Sequence, residues 1–176
     1  MLPEKDRRAL LDLARRSVEA AVRAGDPPPP PEDLRGALLE KGAAFVTLRV
    51  GGRLRGCVGH VQAVRPLWES VRDMARAAAL DDGRFEPLRP AELGDLTIEI
   101  SILSPMSPIR PEEIVPGTHG LYVRRGAQGG LLLPQVAQEW GWSRDEFIQR
   151  VFEKAGVPPG EPGAELYAFT VERFRG

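Results

Sequence analysis

The chain has 176 residues, of which 42% are apolar, so it is long enough for one compact domain with a buried core. A formal charge of −1 excludes the global basic field typical of nucleic-acid binding. No apolar run reaches the length of a membrane span, and the charged N-terminus does not resemble a signal peptide. We therefore expect a cytoplasmic protein.

Residue usage indicates a heat-adapted source. Asparagine is absent and there are only three lysines, so arginine carries nearly all the positive charge. Loss of thermolabile asparagine and proline-rich loops are both typical of thermophilic proteins. The single cysteine, Cys57, excludes an internal disulfide and a multi-cysteine zinc site within one chain.

Hydrophobic periodicity predicts the elements of the first half. An amphipathic helix covers 4–24, and the proline run after Gly25 forms an extended connection. A short helix is predicted over 32–41, followed by a hairpin around Gly51 and Gly52. A helix with Pro66 at its first position covers 66–80 and an alternating strand covers 96–103.

The second half repeats this order. Strands are predicted at 119–125 and 129–134, with helices at 134–140 and from the Ser143 capping box to Gly156. A last strand covers 165–174. The sequence therefore predicts a single α+β domain over 1–176, or two small lobes sharing a core, with duplicated hairpin-helix-strand units at 44–103 and 119–174. These units are expected to form a curved, mostly antiparallel sheet with helices packed around it.

The length of the first hairpin loop decides which way Cys57 faces. A two-residue loop mixes aliphatic and charged side chains on both faces, whereas a three-residue loop at 50–52 separates them. Arg49 would then pair with Arg53, and Gly52 would take the left-handed position of a bulge. The predicted apolar face comprises Val46, Leu48, Leu54 and Val58. The predicted polar face comprises Phe45, Thr47, Arg49, Arg53, Arg55 and Cys57.

This register leaves two interpretations of Cys57. Neighbouring arginines favour the thiolate, which is the nucleophile and the metal ligand. Gly56 and Gly59 carry no side chains and would allow a ligand or another backbone segment to come close to the thiol. Alternatively, Cys57 packs as a small apolar residue and the glycines serve close packing, which is common for a free cysteine.

Several motifs together resemble the AMMECR family. LRGCVG (54–59) is similar to the family's LRGC-[IV]-G hexapeptide, and FVTL lies upstream at 45–48. GRFEPL (83–88) resembles its D-P-R-F-x-P-L turn, with Gly83 in place of proline. Three further matches follow in order: GTHGLYV (117–123), GLLLPQVAQEWGW (130–142) and KAG (154–156).

The resemblance implies a fold built from a duplicated β-rich unit, but it does not supply a reaction. Domains similar to this one occur fused to, or encoded beside, Memo-like and radical-SAM proteins. The resemblance therefore implies a shared pathway with such partners. It implies no cofactor.

The motif makes Cys57 the centre of the predicted site. Arg55 accompanies it by position, and His60 would orient or deprotonate the thiol as in Cys–His pairs. Arg84 is a candidate anion clamp. Under the duplication, Gln135 and His119 of the second half would meet the same concave surface. A zinc site of Cys57, His60 and His119 has suitable ligand types, but no zinc-binding motif supports it, so no metal is predicted.

Two functions remain open from the sequence. The first is an enzyme that acts through Cys57 on a small anionic or nucleotide-like substrate. The second is a non-catalytic module that binds a ligand or a partner protein through the same cleft. The geometry around the thiol distinguishes them, because a thiol within reach of His60 favours chemistry.

Overall fold

The computed structural model describes residues 1–176. The helices are α1 (Glu4–Val22), α2 (Leu67–Leu80), α3 (Pro134–Trp140) and α4 (Arg144–Ala155). The strands are β1 (Ala43–Val50), β2 (Arg53–Gly59), β3 (Leu96–Leu103), β4 (Ser107–Pro108), β5 (Gly120–Arg125), β6 (Gln128–Leu132), β7 (Glu165–Phe169) and β8 (Val171–Arg175). Short 3-10 helices lie at Gly36–Leu38, Pro90–Asp95 and Pro111–Glu113. None of the helices is both long and apolar enough to cross a membrane.

The chain divides into two compact units. The first comprises Met1–Ile102 and Glu172–Gly176, and its sheet has the strand order β2-β1-β3-β8. Helix α1 packs against α2, and α2 packs against β1 and β2. The larger buried side chains of this core include Leu10, Val18, Val46, Leu48, Val71, Ile98 and Ile100.

The second unit comprises Leu103–Val171, and its sheet has the order β4-β7-β5-β6. Helix α4 packs against β5 and β6. It begins at the predicted capping box, in which the Ser143 hydroxyl accepts the Glu146 N–H at 3.3 Å. It ends before Gly156, which has a φ of 67°. The core of this unit contains Ile114, Leu121, Val123, Ala137, Phe147, Val151 and Ala168.

The α+β class with antiparallel sheets is confirmed, but the strands form two sheets where the sequence predicted one. In each sheet the second hairpin strand lies at the edge, the first hairpin strand comes next, and the strand after the helices is third. The fourth strand does not fit the predicted units, because β4 lies between them in sequence and β8, although almost wholly within 119–174, joins the sheet of the first hairpin. This shared order is what a duplication predicts. The duplication itself stays a prediction.

Two predicted elements differ in the structure. The helix predicted at 32–41 is only the 3-10 turn at Gly36–Leu38, because Gly36 has a φ of 52°, outside the right-handed helical region. The strand predicted at 165–174 is broken at Thr170 into β7 and β8, which join different sheets. The Thr170 backbone instead bonds to the Ser104 N–H and hydroxyl, both at 2.9 Å.

Candidate functional site

In the β1–β2 hairpin, Cys57 lies on the predicted face, but the turn and the strand register differ from those predicted. Val50 pairs with Arg53 around a Gly51–Gly52 turn, so the predicted odd-length loop is wrong. Both glycines have positive φ values, as a two-residue type I′ turn requires. The register then shifts by one residue between Leu48 and Arg49.

The shift arises because Arg55 has no pairing partner on β1 and forms a bulge. Beyond the bulge, Cys57 pairs directly with Thr47, so these two side chains share a face as predicted. Leu54 lies before the bulge and pairs with Arg49. Its predicted place on the apolar face is therefore wrong, and it is exposed.

The thiol of Cys57 is free and half-buried. The Thr47 hydroxyl donates a hydrogen bond to the Cys57 Sγ at a distance of 3.2 Å. No other side chain in the structure hydrogen-bonds this sulfur atom. Because a threonine hydroxyl is not a base at neutral pH, the polar partner of the thiol does not activate it.

Asp82 and Arg84 close the outer edge of β2 at Cys57. The Cys57 N–H donates to Asp82 Oδ2 at 2.8 Å, and Arg84 Nη2 lies 3.5 Å from the Cys57 carbonyl oxygen. Strand β2 lies at the edge of its sheet, where backbone groups would otherwise be free to pair with another chain. The two side chains thus take the place of a neighbouring strand at this residue.

Asp82 and Arg84 also form an ion pair. Arg84 donates to the Asp82 carboxylate from Nε at 3.0 Å and from Nη2 at 2.8 Å. The hydrogen bonds from Arg84, together with the Cys57 N–H, hold the pKa of the buried Asp82 carboxyl far below its usual range. The same hydrogen bonds to Asp82 raise the pKa of Arg84.

The remaining donors of Arg84 are available to solvent. Its side chain is 59% exposed, and its guanidinium lies over the Phe85 ring at 5.3 Å from the ring centre. Nε and Nη2 are occupied by Asp82, whereas Nη1 makes no hydrogen bond within the chain. A guanidinium of fixed orientation therefore presents free N–H groups beside the Cys57 backbone.

Arg55 does not belong to this open surface. Its Nε and Nη2 bond to the Glu92 carboxylate at 2.7 and 3.1 Å. Its Nη1 and Nη2 also donate to the carbonyl oxygens of Glu86 and Pro87. The prediction that Arg55 binds a ligand is therefore corrected, because four of its five N–H donors already tie the bulge to the loop after α2.

The prediction that Gly56 and Gly59 leave space for a ligand is corrected, whereas the alternative, close packing of the chain against them, is what the structure shows. A Cβ atom on Gly56 would collide with the carbonyl oxygen of Ala78 in α2. A Cβ atom on Gly59 would collide with the ring of Phe45, its partner on β1. Both positions are filled by neighbouring parts of the chain, so these glycines serve close packing.

His60 does not pair with Cys57. Its Nε2 lies 3.1 Å from the Ser70 hydroxyl, which itself donates to the Gly42 carbonyl oxygen at 2.9 Å. The Ser70 oxygen must therefore accept a hydrogen bond from Nε2–H. Burial foremost, and then Arg65, lowers the pKa of His60. The prediction that His60 deprotonates the thiol is corrected, because Ser70 holds the imidazole instead.

Gln135 and His119 lie in the second unit. Gln135 is in the first turn of α3, is half-buried, and its side chain makes no hydrogen bond within the chain. His119 directly precedes β5, and its Nδ1 accepts the Val115 N–H at 3.1 Å. That they share a concave surface with Cys57 stays a prediction. No group of three or more His, Cys, Asp or Glu side chains is arranged to hold a metal ion.

Sequence reasoning missed Asp82 as a site residue. It named Arg84 as a candidate anion clamp and Thr47 only as a face neighbour of Cys57. The available signal was the spacing of Asp82 and Arg84 around Gly83, which lets both side chains point to one backbone segment. That signal becomes specific only when β2 is known to be an edge strand.

Comparisons with known proteins extend over nearly the whole chain. A family model described as AMMECR1 matches residues 11–174. A protein from Thermococcus gammatolerans is 44% identical over 179 residues, which cover 94% of this chain and 87% of the relative. A protein from Methanothermobacter thermautotrophicus is 38% identical over 183 residues, covering 98% and 95%.

A solved structure shares the fold. The crystal structure of uncharacterized protein PH0010 from Pyrococcus horikoshii matches with a TM-score of 0.86 and 38% sequence identity, over 94% of this chain and 89% of the other. These relatives are from thermophilic archaea, in agreement with the residue usage, and none is named for an activity. The matches span most of every chain compared, and the chain therefore belongs to the AMMECR1 family.

Proposed function

We propose that the chain is a non-catalytic ligand-binding module, and that it binds a small anionic ligand at Cys57, Thr47 and Arg84. The observation that carries this proposal is that the Arg84 guanidinium is held in one orientation but keeps free hydrogen-bond donors. Its guanidinium is oriented by Asp82, yet Nη1 keeps its donors free at an exposed position. Oriented donors of this kind match the oxygens of a carboxylate or phosphate group.

The ion pair between Asp82 and Arg84 determines how an anion would be recognised at Cys57, Thr47 and Arg84. Asp82 compensates the charge of Arg84, so net charge contributes less than the direction of the N–H groups. The affinity for a simple anion is therefore expected to be modest. Specificity would come from the part of the ligand that contacts Thr47 and the Cys57 thiol.

The absence of a base beside the thiol favours binding over nucleophilic catalysis. Activation of a cysteine requires an adjacent proton acceptor or a strong positive field. Cys57 bonds to the Thr47 hydroxyl, whereas the His60 imidazole bonds to Ser70. One observation favours an enzyme as the second candidate: the Arg84 guanidinium lies beside the Cys57 backbone, where it would hold an anionic or nucleotide-like substrate next to the thiol.

The family resemblance provides the context for such a module. We propose that it works in the cytoplasm with Memo-like or radical-SAM partners, to which it would present its ligand. This role needs a site that binds and releases without forming a covalent bond. The Cys57 surface has the donors for binding and lacks the base for covalent chemistry.

Alkylation of Cys57 by reagents of different charge tests the proposed role of Arg84. Because Cys57 is the only cysteine, the mass increase of the intact protein reports this site alone. Iodoacetate is negatively charged and iodoacetamide is neutral, so Arg84 should accelerate only the reaction with iodoacetate. We expect the ratio of the iodoacetate rate to the iodoacetamide rate to be about threefold higher in the folded protein than in urea, because an exposed charge pair contributes an interaction of that size. The Arg84→Gln variant should lose this excess.

The Arg53→Gln variant is the matched control. Arg53 is an exposed arginine of the same strand, and its side chain makes no hydrogen bond within the chain, so the ratio should stay at the wild-type value. A ratio that Arg84→Gln leaves unchanged would refute the anion-binding role. So would a thiol that neither reagent reaches before the protein unfolds.

A further inference from the structure

A cleft of about 320 Å³ lies in the second unit, and its residues are not those of the Cys57 surface. Its volume is at the lower end of the range of small-molecule sites. The apolar part of the lining includes Ile109, Phe169 and two prolines. The polar part comprises Ser104, Ser107, Glu113, His119 and Thr170.

His119 contributes a hydrogen-bond donor of known identity. Its Nδ1 accepts the Val115 N–H at 3.1 Å, so in the neutral ring the proton must be on Nε2. Nε2–H makes no hydrogen bond within the chain. The imidazole that lines the cleft thus has its orientation fixed by the backbone and one donor left for a ligand.

The hydroxyls of Ser107 and Thr170 also make no hydrogen bond within the chain. Ser104 differs, because its hydroxyl already accepts the Thr170 N–H at 2.9 Å and bonds to the Pro105 carbonyl oxygen at 3.2 Å. The cleft therefore offers two free hydroxyls in addition to His119. Each of them can donate or accept a hydrogen bond.

Glu113 supplies the only charge in the lining. Arg110 donates to its carboxylate from the backbone N–H, Nε and Nη2, and these hydrogen bonds lower the pKa of Glu113. No lysine or arginine lines the cleft, and Arg110 is already paired with Glu113, so a phosphate or carboxylate group would find no free positive side chain there. The lining therefore disfavours anions and favours a neutral molecule with hydroxyl groups.

We propose that this cleft binds a neutral, diol-bearing molecule of nucleoside size. The ionised Glu113 accepts one hydroxyl of a vicinal diol on Oε1, since Arg110 already occupies both acceptor sites of Oε2 and one of Oε1. The hydroxyls of Ser107 and Thr170 and the Nε2–H of His119 bond to the remaining polar atoms. Ile109 and the prolines pack against the ring face of the molecule.

Calorimetric titration with adenosine tests the proposal, with 2′-deoxyadenosine and adenosine monophosphate as comparison probes. We expect adenosine to bind with a Kd of about 1 mM or lower, as one small ligand in a shallow site would. Loss of one hydroxyl of the diol should weaken binding about fivefold. The monophosphate should bind no more tightly than adenosine, because the cleft has no positive side chain.

Variants separate the cleft from nonspecific binding. Glu113→Gln keeps an acceptor for the Arg110 N–H and should weaken adenosine binding about tenfold. His119→Asn keeps an acceptor for the Val115 N–H but removes the donor, and should weaken it about threefold. Glu112→Gln, at a neighbouring glutamate outside the lining, should leave the Kd unchanged. Thermal unfolding of each variant checks that it is folded.

Three results would overturn the proposal. These are no adenosine binding at 10-fold above the expected Kd of about 1 mM, equal affinity for adenosine and its deoxy form, and an unchanged Kd in Glu113→Gln. Tighter binding of the monophosphate would also overturn it, because that result requires a positive group that the lining does not contain.

Discussion

Replacing Gly56 by alanine is expected to lower the free energy of unfolding by about 3 kcal/mol, at the upper end of what overpacking a core costs. The added methyl group would overlap the carbonyl oxygen of Ala78 and lie 3.0 Å from its carbonyl carbon. Both atoms belong to the backbone of α2, so no change of side-chain rotamer relieves the contact. Urea denaturation of the purified variant measures the effect.

Gly83→Ala is the matched control for this substitution. No heavy atom lies within 4 Å of a Cβ placed on Gly83, and the residue does not have a positive φ. Its stability should therefore stay within about 0.5 kcal/mol of the wild type. If the two alanine variants were equally stable, the packing role that the structure gives Gly56 would be wrong, and space beside Cys57 would again be open to a ligand.

Replacing Asp82 by asparagine is expected to cost about 2–3 kcal/mol at pH 7, the range for hydrogen bonds to a charged group. The side chain keeps its size but loses its charge, and its NH₂ group replaces one of the two oxygens that now accept from Cys57 and Arg84. The hydrogen bonds of residue 82 to the Cys57 N–H and to Arg84, which cover the edge of β2, therefore become weaker. Chemical denaturation at pH 7 measures the loss.

The stability difference should depend on pH in a defined direction. The folded-state pKa of Asp82 lies far below the unfolded value of about 3.9. The ionised carboxylate therefore stabilises the fold fully above the unfolded pKa, and this contribution is lost as pH falls below about 4. The wild type and Asp82→Asn should consequently approach each other in stability on acidification.

The neighbouring Asp81→Asn variant controls for a general effect of removing negative charge. Asp81 is 56% exposed and forms an ion pair with Arg76 at 3.1 Å. Exposed pairs of this kind contribute little, so its stability should stay within about 0.5 kcal/mol of the wild type. An Asp82→Asn curve that runs parallel to the wild type down to low pH would contradict the ion-pair account.

The sequence predicted most elements correctly where the signal is local. The helix at 4–24, the helix after Pro66 and the Ser143 capping box depend on spacing and caps within a few residues. These appear as α1, α2 and α4. The strand at 165–174 also has a local signal, but the pattern does not encode which sheet each part joins. Its division at Thr170 therefore could not be predicted.

The hairpin shows where tertiary contacts override local rules. The two glycines were consistent with either loop length, and the choice depended on sorting side chains by polarity. The structure sorts them with a bulge at Arg55, whose guanidinium bonds to Glu92 at a separation of 37 residues. A contact so distant along the chain leaves no local signal, so the face of Cys57 was predicted correctly and the turn was not.

Contacts between residues far apart in the sequence also explain which site residues were predicted wrongly. Cys57 and Arg84 lie together, but Arg55 and His60 were assigned by their closeness in sequence to Cys57. Side chains on one short segment can bond to different neighbours, and here they bond to Glu92 and Ser70. Asp82, the residue that joins Cys57 to Arg84, lies 25 residues from Cys57 in the sequence.

The most direct test of the proposed binding surface is a titration of the isotope-labelled protein with inorganic phosphate, followed by NMR. The observed signals are the backbone N–H of Cys57 and the Nε–H of Arg84. Our account predicts saturable shifts of both signals with one common Kd, and loss of the Cys57 shift in the Arg84→Gln variant. Shifts that stay linear with phosphate, or that spare both groups while others move, would contradict it.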